Sequence, residues 1–424
     1  MRVLMLTWEF PPMITGGLGM ACYGIAKALV KLGVEVDLII PVAEEVYFPL
    51  RREADVDHLM ATFADPGKKR GGLVSLEEII ARAGGFVSAY YTTGERVWKK
   101  EIFQYWEKPE SADYILRHLM YDHFLFRYVR NYTAMAVRIA RRLDFDVIHA
   151  HDWLTYSAGL LIKDISEKPL VTHVHATEFD RAGGPGDGRI HHLEYLGNQH
   201  ADRVMAVSSF TASVISDKYK IDPAKIRIVH NAFTVQGGVS KRQRIFKEPT
   251  ILFVGRITIQ KGPDYFLEVA RRVLEKEKNV RFVMAGSGDM ARKILHKAAS
   301  LGLGTKFLFA GFLKRGEVEQ ILSSADIFIM PSVSEPFGIV PLEAMSYGAV
   351  AVISKQSGVA EVIENAYKID FWDINQIVSI ILDLLKTPGK LRELSQKGIE
   401  EVAKLQWETA ARKVAAVYDE LKEG

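Results

Sequence analysis

Short, almost continuously apolar runs alternate along this chain with longer amphipathic stretches. Val3 to Thr7 reads as a buried strand, Ala21 to Lys31 as a helix closed by Gly33, and Val36 to Pro41 as a second strand. Strands that are apolar on both faces and separated by helices signify parallel βαβ units, with helices covering both sides of the sheet. The theme returns at Val147–His151, Leu170–His175 and Arg203–Val207. From Gln236 to Thr250 the chain turns polar and rich in breakers: Gly237-Gly238, then Lys241-Arg242-Gln243-Arg244, then Lys247-Glu248-Pro249. That run reads as a linker. A second set of strands follows at Ile251–Gly255, Val280–Ala285, Lys306–Ala310, Ile327–Met330 and Ala349–Ile353. The pattern predicts an α/β protein with two Rossmann-like, doubly wound domains, 1–240 and 245–405. Their facing carboxyl edges would form a cleft, which is where open α/β sheets bind ligands. Residues 43–145 fit this scheme less well and read as a hairpin plus an insertion carrying several helices.

Composition narrows the class. The chain has 424 residues, 48% hydrophobic and 25% charged, the balance of a folded protein and not of a disordered or fibrous one. That length usually exceeds what one core can serve. A net charge of +3 gives no bulk electrostatic argument for a nucleic-acid partner. The single cysteine, Cys22, excludes an intrachain disulfide and any multi-cysteine metal site. No apolar run reaches the roughly 18 residues of a membrane-spanning helix. The first residues are too short an apolar run for a signal peptide, so a cytoplasmic enzyme with no membrane association is expected.

Several motifs carry chemistry. Thr15-Gly16-Gly17-Leu18-Gly19 lies between the first strand and the first helix, where glycines let backbone approach a phosphate. Gly286-Ser287-Gly288-Asp289-Met290-Ala291 completes a dinucleotide fingerprint, but the following strand ends in Phe307-Leu308-Phe309-Ala310-Gly311 with no acid to hold a ribose. NAD is therefore rejected and a phosphate-facing loop kept. Arg256 and Lys261, five residues apart after a strand, suit a diphosphate: a forked donor and a point charge. Glu335 and Glu343, eight apart with Pro336-Phe337-Gly338 between them, place one carboxylate on a loop and one on a helix. His149 and His151 end one strand, and His173 and His175 end the next, before Thr177-Glu178. His149 is assigned a packed, hydrogen-bonded role, and the four together are read as a polar sugar-binding wall in preference to a metal site. Asp55-Val56-Asp57 and Asp144-Phe145-Asp146 are read as surface carboxylates, not as metal-binding pairs.

This constellation resembles the retaining two-domain GT-B glycosyltransferases, and within them the glycogen/starch synthase-like and family 4 enzymes. The resemblance implies a nucleoside-diphosphate sugar, UDP- or ADP-linked, held mainly by the second domain, and a C-terminal helix within 406–424 crossing back to the first. It implies that Arg256 and Lys261 bind and stabilise the departing diphosphate, that Glu335 binds sugar hydroxyls and Glu343 the ribose. Phe337 and Gly338 belong to the same donor loop as that pair, and Gly286 to the phosphate-facing loop. Gly16 and Gly17 would close over the phosphates, His151 would contact the sugar with its backbone or ring near the reacting carbon, Leu313 would lie by the base, and Glu9 and Glu178 would face the acceptor. The expected partners are a nucleotide-sugar donor and a glucan or other sugar acceptor, with no cofactor and no metal. Ile14 stands where bacterial glycogen synthases carry a lysine, and His230-Asn231-Ala232 replaces the commoner Pro-Asn-Gly. These departures leave room for a family 4 hexosyltransferase with a small-molecule or lipid acceptor. A sugar-nucleotide epimerase, a phosphorylase and a non-catalytic binding protein are the remaining rivals.

Overall fold

A computed structural model of the protein describes residues 1–11, 17–41, 47–64, 124–233 and 244–422. Gly16, Ile14, the insertion over 65–123 and the centre of the expected linker lie outside the described residues. The first sheet contains β1 (Arg2–Leu6), β2 (Glu35–Ile39), β3 (Tyr47–Leu50), β4 (Val147–His151), β5 (Leu170–Val174), β6 (Arg203–Ala206) and β7 (Ile226–Ile228). Their spatial order is β3-β2-β1-β4-β5-β6-β7, and only β3 runs antiparallel, paired with β2. The second sheet contains β8 (Thr250–Val254), β9 (Arg281–Ala285), β10 (Phe307–Gly311), β11 (Ile327–Met330), β12 (Val350–Ser354) and β13 (Tyr367–Ile369). It is ordered β10-β9-β8-β11-β12-β13, and all its pairs are parallel. In each sheet the strand order reverses beside the first strand of the domain, the kind of switch point at which ligands enter such folds.

The central strands are buried on both faces, as their continuous apolar text requires: β4, β5 and β12 have no exposed residue. One face of the first sheet carries a core of Val3, Met5, Ile25, Leu29, Val36 and Leu38. The helix Trp407–Glu420 adds Trp407, Val414, Val417 and Tyr418 to that same core, so the end of the chain packs against the helix Gly17–Lys31 of the first domain. Gly24 makes that packing possible, because a Cβ there would sit 2.2 Å from the Trp407 ring. The opposite face is filled by Tyr132, Trp153, Tyr156 and their neighbours.

The two sheets meet through specific contacts. Ser208 Oγ donates to the Pro336 carbonyl at 2.6 Å. Glu361 accepts from the amides of Ser209 and Phe210, both at 2.9 Å, which start the helix Ser209–Tyr219. Ser334 Oγ donates to Asp180. The segment joining β11 to β12 is thereby held against the first domain.

Candidate active site

In the second domain the site is built from loops leaving the carboxyl ends of the strands. After β8 the chain runs Gly255 to Lys261 and is laced to the loop after β9: Ile257 N–H donates to Ser287 O at 2.8 Å and Met290 N–H to Ile257 O at 3.0 Å. Gly286 (φ 139°) permits this closeness, since a Cβ there would fall 1.8 Å from the Gly255 carbonyl oxygen. Its own N–H is committed to Gly311 O at 2.7 Å. The sequence placed this glycine in a phosphate-facing loop; here it brings two backbones together.

A short turn, Ile259–Lys261, ends at left-handed Gly262 and aims Lys261 across the cleft floor. Lys261 Nζ donates to Glu335 Oε2, and Ser332 Oγ reaches the same oxygen at 3.2 Å. Arg256 donates to Gln260 Oε1 at 2.8 Å, and Gln260 is itself buried. The Gln260 carbonyl accepts from Val333 N–H at 2.9 Å, so the loops after β8 and β11 are stapled together. Glu335 is only 5% exposed. Its backbone is gripped on both sides, N–H to Gln356 O and O from Gly358 N–H, each at 2.9 Å. Gly338 turns with φ 97° against the Glu335 side chain, and Phe337 packs into the core beneath. Glu343 follows, half-buried, in the first turn of the helix Val340–Ser346. Leu313 packs on the same core, beside a Phe312 that is 76% exposed. Arg256, Lys261, Glu335, Phe337 and Gly338 are thus gathered on adjoining loops, with Glu343 on the helix that follows. From the other domain, Gly17 opens the helix Gly17–Lys31 and faces Ile339, with a built Cβ 3.9 Å from its Cδ1.

The histidines of the first domain are arranged differently from a sugar-facing wall. Register pairs His151 with His173 across β4 and β5, and the four rings form a stacked column with centroids 4.1 to 5.3 Å apart along it. His149 is the packed residue its position suggested, bonded to Tyr418 Oη at 2.6 Å and His173 Nδ1 at 3.2 Å. His151 is fully covered and bonded to His175 Nε2 at 2.9 Å. The contact was expected from the backbone or the ring of His151, and the ring half is corrected: the imidazole has no surface to offer. His175, one residue beyond the end of β5, retains 8% exposure. Burial holds all four rings neutral, pushing His175 down to about 3 and the other three well below their ordinary value.

Two acceptor-side expectations change as well. Glu178 is buried, with one oxygen on Arg181 Nε at 3.1 Å and the other on Asp187 N–H at 3.1 Å. Arg181 also pairs with Glu194, so Glu178 belongs to an internal ion network and not to an acceptor surface. Glu9 is 0% exposed and likewise presents nothing outward. A residue the sequence reading left unassigned, Asp152, stands at the centre of this region. It has φ 58°, is buried, and accepts His175 N–H at 2.7 Å. Burial pushes its carboxyl up to about 7 against the pull of Arg181 and the His175 and Ala176 amides. Its only sequence signal is its place directly after a strand end.

Paired Rossmann-like sheets with these loops on their facing edges define a GT-B glycosyltransferase. The starch synthase catalytic domain model matches residues 2–224, and the model for glycosyl transferases group 1 matches residues 239–401. The chain belongs to the glycosyltransferases of the glycogen/starch synthase-like type. It is 30% identical to an uncharacterized glycosyltransferase of Methanocaldococcus jannaschii, over 86% of this chain and 83% of that relative. It is 23% identical to the glycogen synthase of Mycobacterium tuberculosis, over 100% of this chain and 96% of that one. Among solved structures, the catalytic domain of starch synthase IV from Arabidopsis thaliana, bound to ADP and acarbose, superposes with a TM-score of 0.66 at 14% identity, covering 100% of this chain and 99% of that one. Among the described residues no helix is long and apolar enough to cross a membrane.

Proposed function

We propose that this protein transfers a glucosyl unit from a nucleoside-diphosphate sugar to the end of an α-glucan, with retention of configuration. The observation that carries the reading is the hydrogen bond from Lys261 to Glu335, with Arg256 held five residues upstream through Gln260. It joins a cationic element suited to a diphosphate to a carboxylate suited to sugar hydroxyls. Breaking a sugar–diphosphate bond builds negative charge on the departing phosphate, and fixed cations aimed there lower the barrier directly. No metal is needed for that task, since the guanidinium and ammonium supply the charge. His175, at the rim of the buried histidine column, is the first-domain ring best placed to meet the sugar, and Asp152 positions its backbone. The acceptor attacks from the face the leaving group vacates. The affinity of a starch synthase for ADP and acarbose supports the donor and acceptor classes by family likeness.

The test is a panel of UDP-, ADP- and GDP-sugars, read by nucleoside-diphosphate release with and without glucan, and by NMR of the new linkage. Glucan-dependent release with an α-linked product is expected. Release that ignores glucan but responds to a small hydroxylated acceptor would replace glucan elongation with a family 4 activity. Conversion of donor alone to an epimer would overturn the transferase reading.

A further inference from the structure

Trp8, Trp153 and Trp407 are buried, whereas Trp372 is 58% exposed. It stands just past the carboxyl end of β13, on the same edge of the sheet as the loops that carry Arg256, Lys261 and Glu335. The segment around it is anchored on both sides. Before it, Asp370 accepts from Lys355 Nζ and from Gln356 Nε2, each at 3.0 Å. After it, Asp373 N–H donates to Asp370 O at 2.9 Å, and the Asp373 carboxylate accepts Gln376 N–H at 3.0 Å to start the helix Ile374–Lys386. The Phe371 ring meets the indole edge to face, with centroids 4.7 Å apart. Phe371 also meets Tyr265 edge to face at 5.1 Å. Tyr265 in turn packs beside Gly262, where a built Cβ would lie 3.1 Å from its ring, at the end of the Lys261 turn. Gln356 makes a second link to the site, because its carbonyl accepts the Glu335 N–H at 2.9 Å. A fixed aromatic strip therefore joins the Lys261 turn and the Glu335 loop to an exposed indole.

We propose that Trp372 is the platform of an acceptor subsite, on which a sugar unit of the α-glucan stacks away from the reacting end of the chain. This rests on the glucan-transfer reading given above. A pyranose ring has a face of C–H groups and a rim of hydroxyls, so an aromatic face flanked by polar groups matches it. Trp372 supplies the face, and Asp370, Lys355 and Gln356 supply the polar flank. Because both aspartates fix the loop beforehand, little conformational entropy is lost when a sugar settles there. The order of the strands decides which part of the substrates arrives at this place. From β8 through β11 and β12 to β13, the sheet edge carries Arg256 and Lys261, then Glu335, then Gln356, then Trp372. In the proposed reaction the cations meet the diphosphate and Glu335 meets the sugar hydroxyls. Trp372 therefore lies beyond the sugar end of the donor, and what extends past that end is the acceptor chain. The apolar surface on offer is one indole with Tyr265 and Phe371 half-buried behind it, too small for a stable protein interface and suited to a sugar ring.

The experiment compares the full-length wild type with Trp372→Ala and Trp372→Phe, using maltose and soluble starch as acceptors and saturating UDP-glucose or ADP-glucose as donor. The readout is the ratio of kcat/KM for starch to kcat/KM for maltose, since the short acceptor does not reach the platform. The wild type is expected to favour starch. Trp372→Ala is expected to lower the ratio by roughly three- to tenfold, the loss of one ring contact. Trp372→Phe restores most of it, because a phenyl ring still offers a face. Electrophoresis through a gel containing starch, with no donor present, is expected to retard the wild type more than Trp372→Ala. A ratio unchanged in Trp372→Ala overturns the subsite and leaves the transfer reading standing. So does an equal loss on both acceptors, which reports damage at the active site and not a distal contact. A wild type that releases nucleoside diphosphate with neither acceptor overturns the glucan-transfer reading, and the subsite with it.

Discussion

In the proposed reaction the charge on the leaving group is met by two side chains whose partners are now explicit. Arg256 is steadied by Gln260 and Lys261 by Glu335, so each is held in place before any phosphate arrives. Fixed donors of this kind act on the transition state, and their removal appears in turnover. Arg256→Ala and Lys261→Ala, assayed with saturating donor, are expected to lower kcat by about 10²–10³-fold; a change confined to KM contradicts the assignment. If these groups do the work of a catalytic ion, as proposed, activity after brief chelator treatment stays at the untreated level. Abolition by chelator with rescue by Mn2+ would contradict it. The R-x4-K and E-x7-E sets were legible in the sequence because each sits on a loop directly after a strand. Which histidine keeps any exposure was not legible. One residue of difference at a strand end decides it, and the covering side chains come from elements distant in sequence. Glu178 was misread for a related reason: Arg181 ties its carboxylate to Glu194, sixteen residues further along the chain, and Glu194 also accepts the Glu178 amide N–H at 3.0 Å.

Two elements depend on glycines at contacts no local pattern reveals. The helix Gly17–Lys31 meets the helix Trp407–Glu420 at Gly24, where an added methyl would collide with the Trp407 ring. Gly24→Ala is expected to cost about 1–3 kcal/mol by overpacking, read as a lower denaturation midpoint at unchanged m-value. Gly286→Ala faces both a positive φ of 139° and the Gly255 carbonyl oxygen at 1.8 Å. It is expected to displace the Arg256 loop, weakening nucleotide binding in a calorimetric titration while the far-ultraviolet spectrum stays native. Binding equal to wild type would show that the two loops move independently. Most strands were legible from their apolar runs. The three-residue edge strands β7 and β13 were not, because so few positions carry no period. The first helix begins at Gly17, four residues before the expected Ala21, because the glycine tract forms its first turn.

The two domains are joined at Glu361, a residue of the second that satisfies the start of the helix Ser209–Tyr219 in the first and also pairs with His230 at 2.8 Å. Burial raises this carboxyl, but the His230 bond and the two amides outweigh it, and its pKa falls below the ordinary 4.5. A carboxyl depressed on folding adds stability above its unfolded pKa and loses it as pH falls through the folded one. Glu361→Gln is therefore expected to be less stable than wild type at about pH 7, with the difference lost as pH falls below the ordinary carboxylate value and through the lower folded one. The same variant should widen the molecule in small-angle scattering at neutral pH; equal dimensions would show that the Ser208–Pro336 contact suffices. By itself the sequence determined the two sheets and the strand-end loops that carry Arg256, Lys261 and the Glu335–Glu343 pair, because strand burial and loop position follow from local periodicity. Only the tertiary structure decided which polar groups are sealed inside and which face the cleft, the return of the final helix onto Gly24, and the joining of the domains through Glu361. Those outcomes depend on partners far apart in the chain, and no local pattern encodes a partner.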